Sequence, residues 1–163
     1  MHPVTTQIET LLKEKGLWYE TFTHVPTLTS EESAKARPGY SMHQGAKALL
    51  LKMTLKSVQK DSPGEKFALV VLPADLKLDS KMIKNTLNLK EIRFASPDEV
   101  AQITDGILPG GIPPFGHLFK LETYVHPALL DNEKIVFNAG DRCFSIAMLA
   151  KEYIEIEEPI VIF

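Results

Sequence analysis

The run Phe67-Ala68-Leu69-Val70-Val71-Leu72 is unbroken apolar sequence that stops at Pro73. A run this short, closed by a residue that cannot continue a ladder, is typical of a strand buried on both faces. A second run, from about Ala46 to Leu55, reads as a strand in the same way, and the turn cluster Asp61-Ser62-Pro63-Gly64 lies between the two. Two central strands flanking a surface loop require layers above and below them, so the rest of the chain has to supply covering elements.

Those elements are legible as periodic and capped segments. Thr6 and Glu9 have capping-box spacing, and Val4, Ile8, Leu11 and Leu12 mark one apolar helix face until Gly16. Leu17 to Thr23 suits a strand, His24 to Ser30 a loop, and Thr29 with Glu32 repeats the capping spacing before a short helix closed by Pro38-Gly39. Asp79 or Ser80 can cap a helix through Leu87, Glu91 to Phe94 suits a strand, and Ser96, Pro97 and Glu99 open another helix. Gly106, Gly110, Gly111 and Gly116 with Pro109, Pro113 and Pro114 exclude a regular element from that stretch. Leu118 to Val125 and Lys134 to Phe137 read as strands, separated by a short turn or helix at Pro127 to Asp131. Ser145 is a candidate cap for a last helix to about Tyr153, and Pro159 to Phe163 is apolar enough to dock as a terminal strand. The expected fold is α/β of the α+β type, a curved mixed sheet surrounded by helices, with residues 1–163 forming a single domain.

Composition narrows the function classes. Nothing approaches the roughly 20 apolar residues of a membrane span, and residues 1–10 lack the pattern of a secretory signal. The single Cys143 excludes an intrachain disulfide and a cysteine metal cage, so a reducing, cytoplasmic setting is expected. A net charge of −3 argues against a broad basic face for nucleic acid. The charge is uneven, however, at +4 over residues 1–90 and −7 over 91–163, so one end of a polynucleotide could be met locally. The five histidines (His2, His24, His43, His117 and His126) have no ligand spacing, and phosphate-loop, nucleophile-elbow and dinucleotide motifs are missing, so neither metal nor cofactor is expected.

Three segments carry candidate chemistry. Gly110-Gly111-Ile112-Pro113-Pro114-Phe115-Gly116 can bring backbone amides close to a ligand on a rigid loop, which suits an oxyanion; equally, it can be a tight crossing with Phe115 plugged into the core. Asn138-Ala139-Gly140-Asp141-Arg142, just after an apolar strand, either borders a pocket or forms a turn in which Asn138 and Asp141 satisfy local backbone groups. Lys47 is a lone cation in an apolar strand, which needs a partner or a purpose unless it snorkels to solvent. His24, with Pro26, Thr29 and Glu32, completes the polar set.

Taken in order, these segments resemble the YbaK and prolyl-tRNA-synthetase-associated editing family. The matching pieces are His24-Val25-Pro26 with Thr29 to Glu32, Gly45 to Lys52, Leu69 to Asp75, Ile92 to Glu99, Gly110 to Gly116, and Phe137 to Arg142 with Ser145-Ile146. The resemblance implies a small pocket for an aminoacyl group and hydrolysis of the ester joining an amino acid to the terminal ribose of tRNA. It implies catalytic roles for Lys47, Gly111 and Gly116. It also implies substrate contacts from His24, Pro113, Pro114, Phe115, Asn138, Gly140, Asp141 and Ser145. The implied partners are the aminoacyl-tRNA acceptor end and an aminoacyl-tRNA synthetase. Because the substrate is an activated ester, orienting a water and holding a tetrahedral oxyanion suffice, and Cys143 has no matching role as a nucleophile. A wall of glycine and proline would admit small side chains such as Ala, Ser or Cys. The competing expectation keeps the fold without the reaction, as an accessory module that binds a tRNA end or a synthetase.

Overall fold

The computed structural model describes residues 1–27, 29–56 and 64–162. Its strands divide between two sheets. The larger, in the order β4-β2-β3-β5-β8, is built on β2 (Ala46–Leu55) and β3 (Glu65–Pro73), with β4 (Leu89–Phe94), β5 (Glu122–Val125) and β8 (Ile160–Val161) outside them. β2 is antiparallel to β3 and β4, whereas β3 to β5 and β5 to β8 are parallel, so this sheet is mixed. The smaller sheet is antiparallel: β7 (Phe144–Leu149) lies between β1 (Tyr19–Thr23) and β6 (Lys134–Asp141). Neither sheet closes on itself.

The reason for the apolar runs is visible in the packing. Ala46, Ala48 and Leu50 of β2, with Leu69 and Val71 of β3, enter a core shared with Ile135 and Phe137 of β6 and Ile146 and Met148 of β7. The intervening residues Leu51, Met53, Ala68 and Val70 point the other way, into a second core with Ile83 and Leu89. Alternate residues of a strand face opposite sides, so two covered faces demand the continuous hydrophobicity observed.

Five α-helices are seen among the described residues: α1 (Pro3–Glu14), α2 (Ser30–Lys35), α3 (Ser80–Thr86), α4 (Pro97–Thr104) and α5 (Ala150–Glu157). Thr29, Asp79 and Ser96 cap α2, α3 and α4, and at α4 the Glu99 side chain returns to the Ser96 amide. Two expected caps are corrected. His2, whose Nδ1 accepts from the Val4 amide, starts α1 one turn before Thr6, because Pro3 at the first helical position has no amide to satisfy. Ser145 lies within β7, and α5 begins after Leu149 without a side-chain cap.

The segment from Leu118 also departs from expectation. A 3-10 turn over Gly116–Phe119 ends at Lys120 in the left-handed region (φ 59°), so β5 starts only at Glu122. The β6 strand runs four residues beyond Phe137, which makes Asn138 a strand residue. The expected turn at Asp61 to Gly64 falls largely outside the described residues, as does Phe163.

Gly116 sits where only a hydrogen fits. A Cβ there would lie 2.3 Å from Thr123 Oγ1 and 2.8 Å from the Leu121 carbonyl oxygen. Gly116→Ala is expected to lower stability by about 1–3 kcal/mol through overpacking, read as a reduced denaturant midpoint with unchanged slope.

Candidate functional site

Among the described residues, β2 is open along part of one edge. Its pairing with β4 covers only Leu51 to Leu55, and the last contact beyond it is the Ala95 amide donating to the Leu50 carbonyl at 2.9 Å. Backbone groups of alternate residues face the same edge, so Ala48 turns its amide and carbonyl to the side where β4 is missing. A cleft of about 250 Å³ lies along this open half. Gly45 to Leu49 and Ala74 form one wall, and Thr27, Thr29, Ser30, Ser33 and Arg37 form the second. Gly110, Ile112 and Asn138 close the third side.

Lys47 is half-buried on the first wall, and its Nζ donates to the Leu76 carbonyl at 2.7 Å. Burial pulls its pKa below the ordinary lysine value, against the opposing pull of Asp75 and Glu31. Lys47 thus lines the cleft while its ammonium is held by a neutral acceptor.

The third side is fixed from within the small sheet. Asn138 and Ser145 are cross-strand partners on β6 and β7. Ser145 Oγ donates to Asn138 Oδ1 at 3.0 Å, and Asn138 Nδ2 donates to the Gly110 carbonyl at 2.8 Å, which ties the glycine-proline loop to the sheet. Arg37 is 5% exposed; its Nε donates to Ser145 Oγ at 3.0 Å and its Nη2 to Asn138 Oδ1 at 2.7 Å. Burial lowers the Arg37 pKa to about 10, still far above neutrality, so a full charge sits beside the cleft. His24 Nε2 approaches Ser145 Oγ at 2.8 Å from behind.

The structure brings Lys47 and Asn138 together in the cleft and places the other expected residues elsewhere. His24 and Ser145 are behind Arg37 and Asn138, where they act as supports. Of the glycine-proline loop, Gly110 and Ile112 reach the cleft. Phe115 is fully buried, edge-on to Phe137 and Tyr153, and the Pro114 carbonyl accepts from Tyr153 Oη at 2.7 Å. Pro113 is buried beside them, so this half of the loop plugs the core.

The amides assigned to an oxyanion are also engaged. The Gly111 amide donates to the Leu108 carbonyl at 2.9 Å and the Gly116 amide to Thr123 Oγ1 at 3.0 Å. The Ile112 amide, by contrast, donates to no described residue. Gly111, Gly140 and Asp141 line a neighbouring groove with Cys143. There Gly140 (φ 96°) packs against α1, where a Cβ would meet Val4 Cγ1 at 2.4 Å, and Asp141 Oδ1 accepts from the Cys143 amide at 2.8 Å. Burial first, then Asp141, raise the Cys143 pKa, which disfavours the thiolate a nucleophile needs.

Arg37, Thr27 and Ser33, which also line the cleft, were not legible as site residues from sequence. Arg37 had one available signal: it is the only arginine among residues 1–90, set directly before Pro38-Gly39.

A family model for the aminoacyl-tRNA editing domain matches residues 24–156, which include every wall of this cleft. The chain belongs to the aminoacyl-tRNA editing domain family. The uncharacterized protein YwhH of Bacillus subtilis (strain 168) is 32% identical over 100 residues, a match spanning 61% of this chain and 62% of that relative. Two crystal structures share the fold with a TM-score of 0.77 each. One, of a protein proposed to be a trans-editing enzyme for prolyl tRNA synthetase, is 22% identical over 99% of this chain and 96% of its own. The other, the hypothetical protein APE2540, is 23% identical over 95% of this chain and 96% of its own.

Asn138→Ala would strip an acceptor from Arg37 and a donor from the Gly110 carbonyl at once. It is expected to cost about 1–3 kcal/mol for the buried groups left unpaired, measured as a lowered thermal midpoint.

Proposed function

We propose that this editing domain hydrolyses the ester linking a small amino acid to the terminal ribose of a mischarged tRNA, acting in trans and on tRNA(Pro)-type substrates. The observation that carries this reading is the convergence of Lys47, Ile112, whose amide donates to no described residue, and the unpaired half of β2 on one cleft of about 250 Å³. That volume is below the roughly 300–1,000 Å³ usual for a drug-sized ligand, so a short acyl group enters while the ribose stays at the mouth. Membership of the family and the fold shared with a protein proposed to serve prolyl tRNA synthetase support the substrate class.

The chemistry asks little of the protein. Water attacks the ester carbonyl carbon, the carbonyl oxygen becomes an oxyanion, and the bond to the ribose oxygen breaks. One proton of the water goes to that oxygen as it leaves, the other passes to solvent, and the amino acid is released as its carboxylate. The Ile112 amide and the Lys47 ammonium are the donors available to the oxyanion, and a donor already in place costs no reorganisation during the reaction. Lys47 is free to serve because its present partner is a neutral carbonyl, which a more charged acceptor displaces. The adjacent ribose hydroxyl is placed to orient the water.

Why such an activity is useful follows from selection limits. A synthetase separates side chains differing by one methylene by only about 1–3 kcal/mol, and a second, smaller site removes the errors.

The test is ester loss from tRNAs mischarged with Ala, Ser or Cys, followed over time with the purified protein. At least one ester should be cleared faster than its spontaneous decay, and Lys47→Ala should slow that clearance by about 100-fold, the usual cost of losing an oxyanion donor, while its thermal midpoint stays close to the parent's. Persistence of every ester would leave an accessory tRNA- or synthetase-binding module as the correct reading, and full activity in the Lys47 variant would remove that residue from the chemistry.

A further inference from the structure

Arg37 is buried, and no carboxylate is paired with it among the described residues. Its three nitrogens are used unequally. Nε is spent on Ser145 and Nη2 on Asn138, while Nη1 donates to no described residue. The guanidinium still lines the cleft, with Nη1 on the Gly45 side, 3.7 Å from where a Cβ on that glycine would stand. A buried cation is tolerated when it is paired or hydrogen-bonded, and the unspent end of this one faces the space the acyl group would fill.

The anchoring is specific. Ser145 and Asn138 are adjacent on two paired strands, His24 backs Ser145, and Asn138 is itself held by the Gly110 carbonyl. A planar fork fixed at Nε and Nη2 leaves Nη1 aimed in one direction, which makes it a recognition group rather than a mobile charge. Thr27 Oγ1 and Ser33 Oγ, 2.8 Å apart on the same wall, add further polar lining.

We propose that Arg37 reads the acyl side chain, and that the cleft favours short side chains tipped with an oxygen acceptor, carboxylate or hydroxyl, over an apolar one of similar size. This deepens the deacylase reading and rests on it. Energetically, an alanyl group would leave Nη1 dry and unpaired, whereas a seryl or aspartyl oxygen would complete its bonding. A site built to bond a substrate group discriminates strongly against the analogue lacking it, because the protein's own polar group is then stranded.

The experiment compares kcat/KM for Ala, Ser and Asp esters carried on the same tRNA, for the parent protein, Arg37→Met and Arg37→Lys. The parent should hydrolyse the Ser and Asp esters at least about tenfold faster than the Ala ester, a modest share of what an unmet buried donor can enforce. Arg37→Met should collapse that ratio toward unity, and Arg37→Lys should keep part of the preference for Asp. Circular dichroism shows whether each variant folds; if only the Lys variant does, its reduced Ser-to-Ala ratio is the deciding number.

A parent that clears the Ala ester as fast as the others, or an Arg37 variant that slows all three equally, overturns the inference while leaving the deacylase intact. If no ester is cleared, the deacylase reading fails separately. Calorimetry with amide-linked, non-hydrolysable Ala, Ser and Asp conjugates of adenosine then decides the recognition claim: tighter binding of Ser and Asp that disappears in Arg37→Met supports it, and equal or absent binding overturns it.

Discussion

The antiparallel pairing of β2 with β3 is the constraint on which the remaining structure rests. Both strands are covered on both faces, by the small sheet on one side and by α3 on the other. This fixes their register, since a slip of one residue would exchange the two cores. It also creates the site. β4 supports only the outer half of β2, and the unsupported half leaves backbone groups and Lys47 accessible in a region whose position cannot drift.

Much of this architecture was readable from the chain because its causes are local. Unbroken hydrophobicity marked β2 and β3, and short polar side chains before helices marked the starts of α2, α3 and α4. The division into two sheets was harder to read, because it depends on β1 meeting β7 across most of the sequence. Ser145 illustrates the limit. A serine shortly before a helical pattern looks like a cap, yet its partner is Asn138 on the neighbouring strand, a relation that only pairing reveals.

Part of the lining of the cleft was legible and part was not, for the same reason. Lys47 stood out as a charge in apolar sequence, and the glycine-proline loop stood out by composition. Which of the loop's residues face the cleft is decided in three dimensions: Gly110 and the buried Ile112 line it, while Phe115 completes an aromatic cluster with Phe137 and Tyr153. The two readings of that loop, ligand wall and core plug, are both realised, at opposite ends of seven residues. Arg37 escaped notice because nothing in its immediate neighbours announces that a serine and an asparagine more than a hundred positions away will hold it.

The partnership of β1 with β7 has a kinetic consequence. Residues 19–23 must wait for residues 144–148 before β1 can complete its ladder, so a nascent chain leaving the ribosome carries an unmatched strand until more than a hundred further residues have been made. Closing so long a loop is entropically expensive before any contact repays it, a cost that a chain whose strands all pair locally does not meet. Asn138 and Ser145 lie on the paired strands β6 and β7, so Arg37, made more than a hundred residues earlier, has no anchor until that pair emerges.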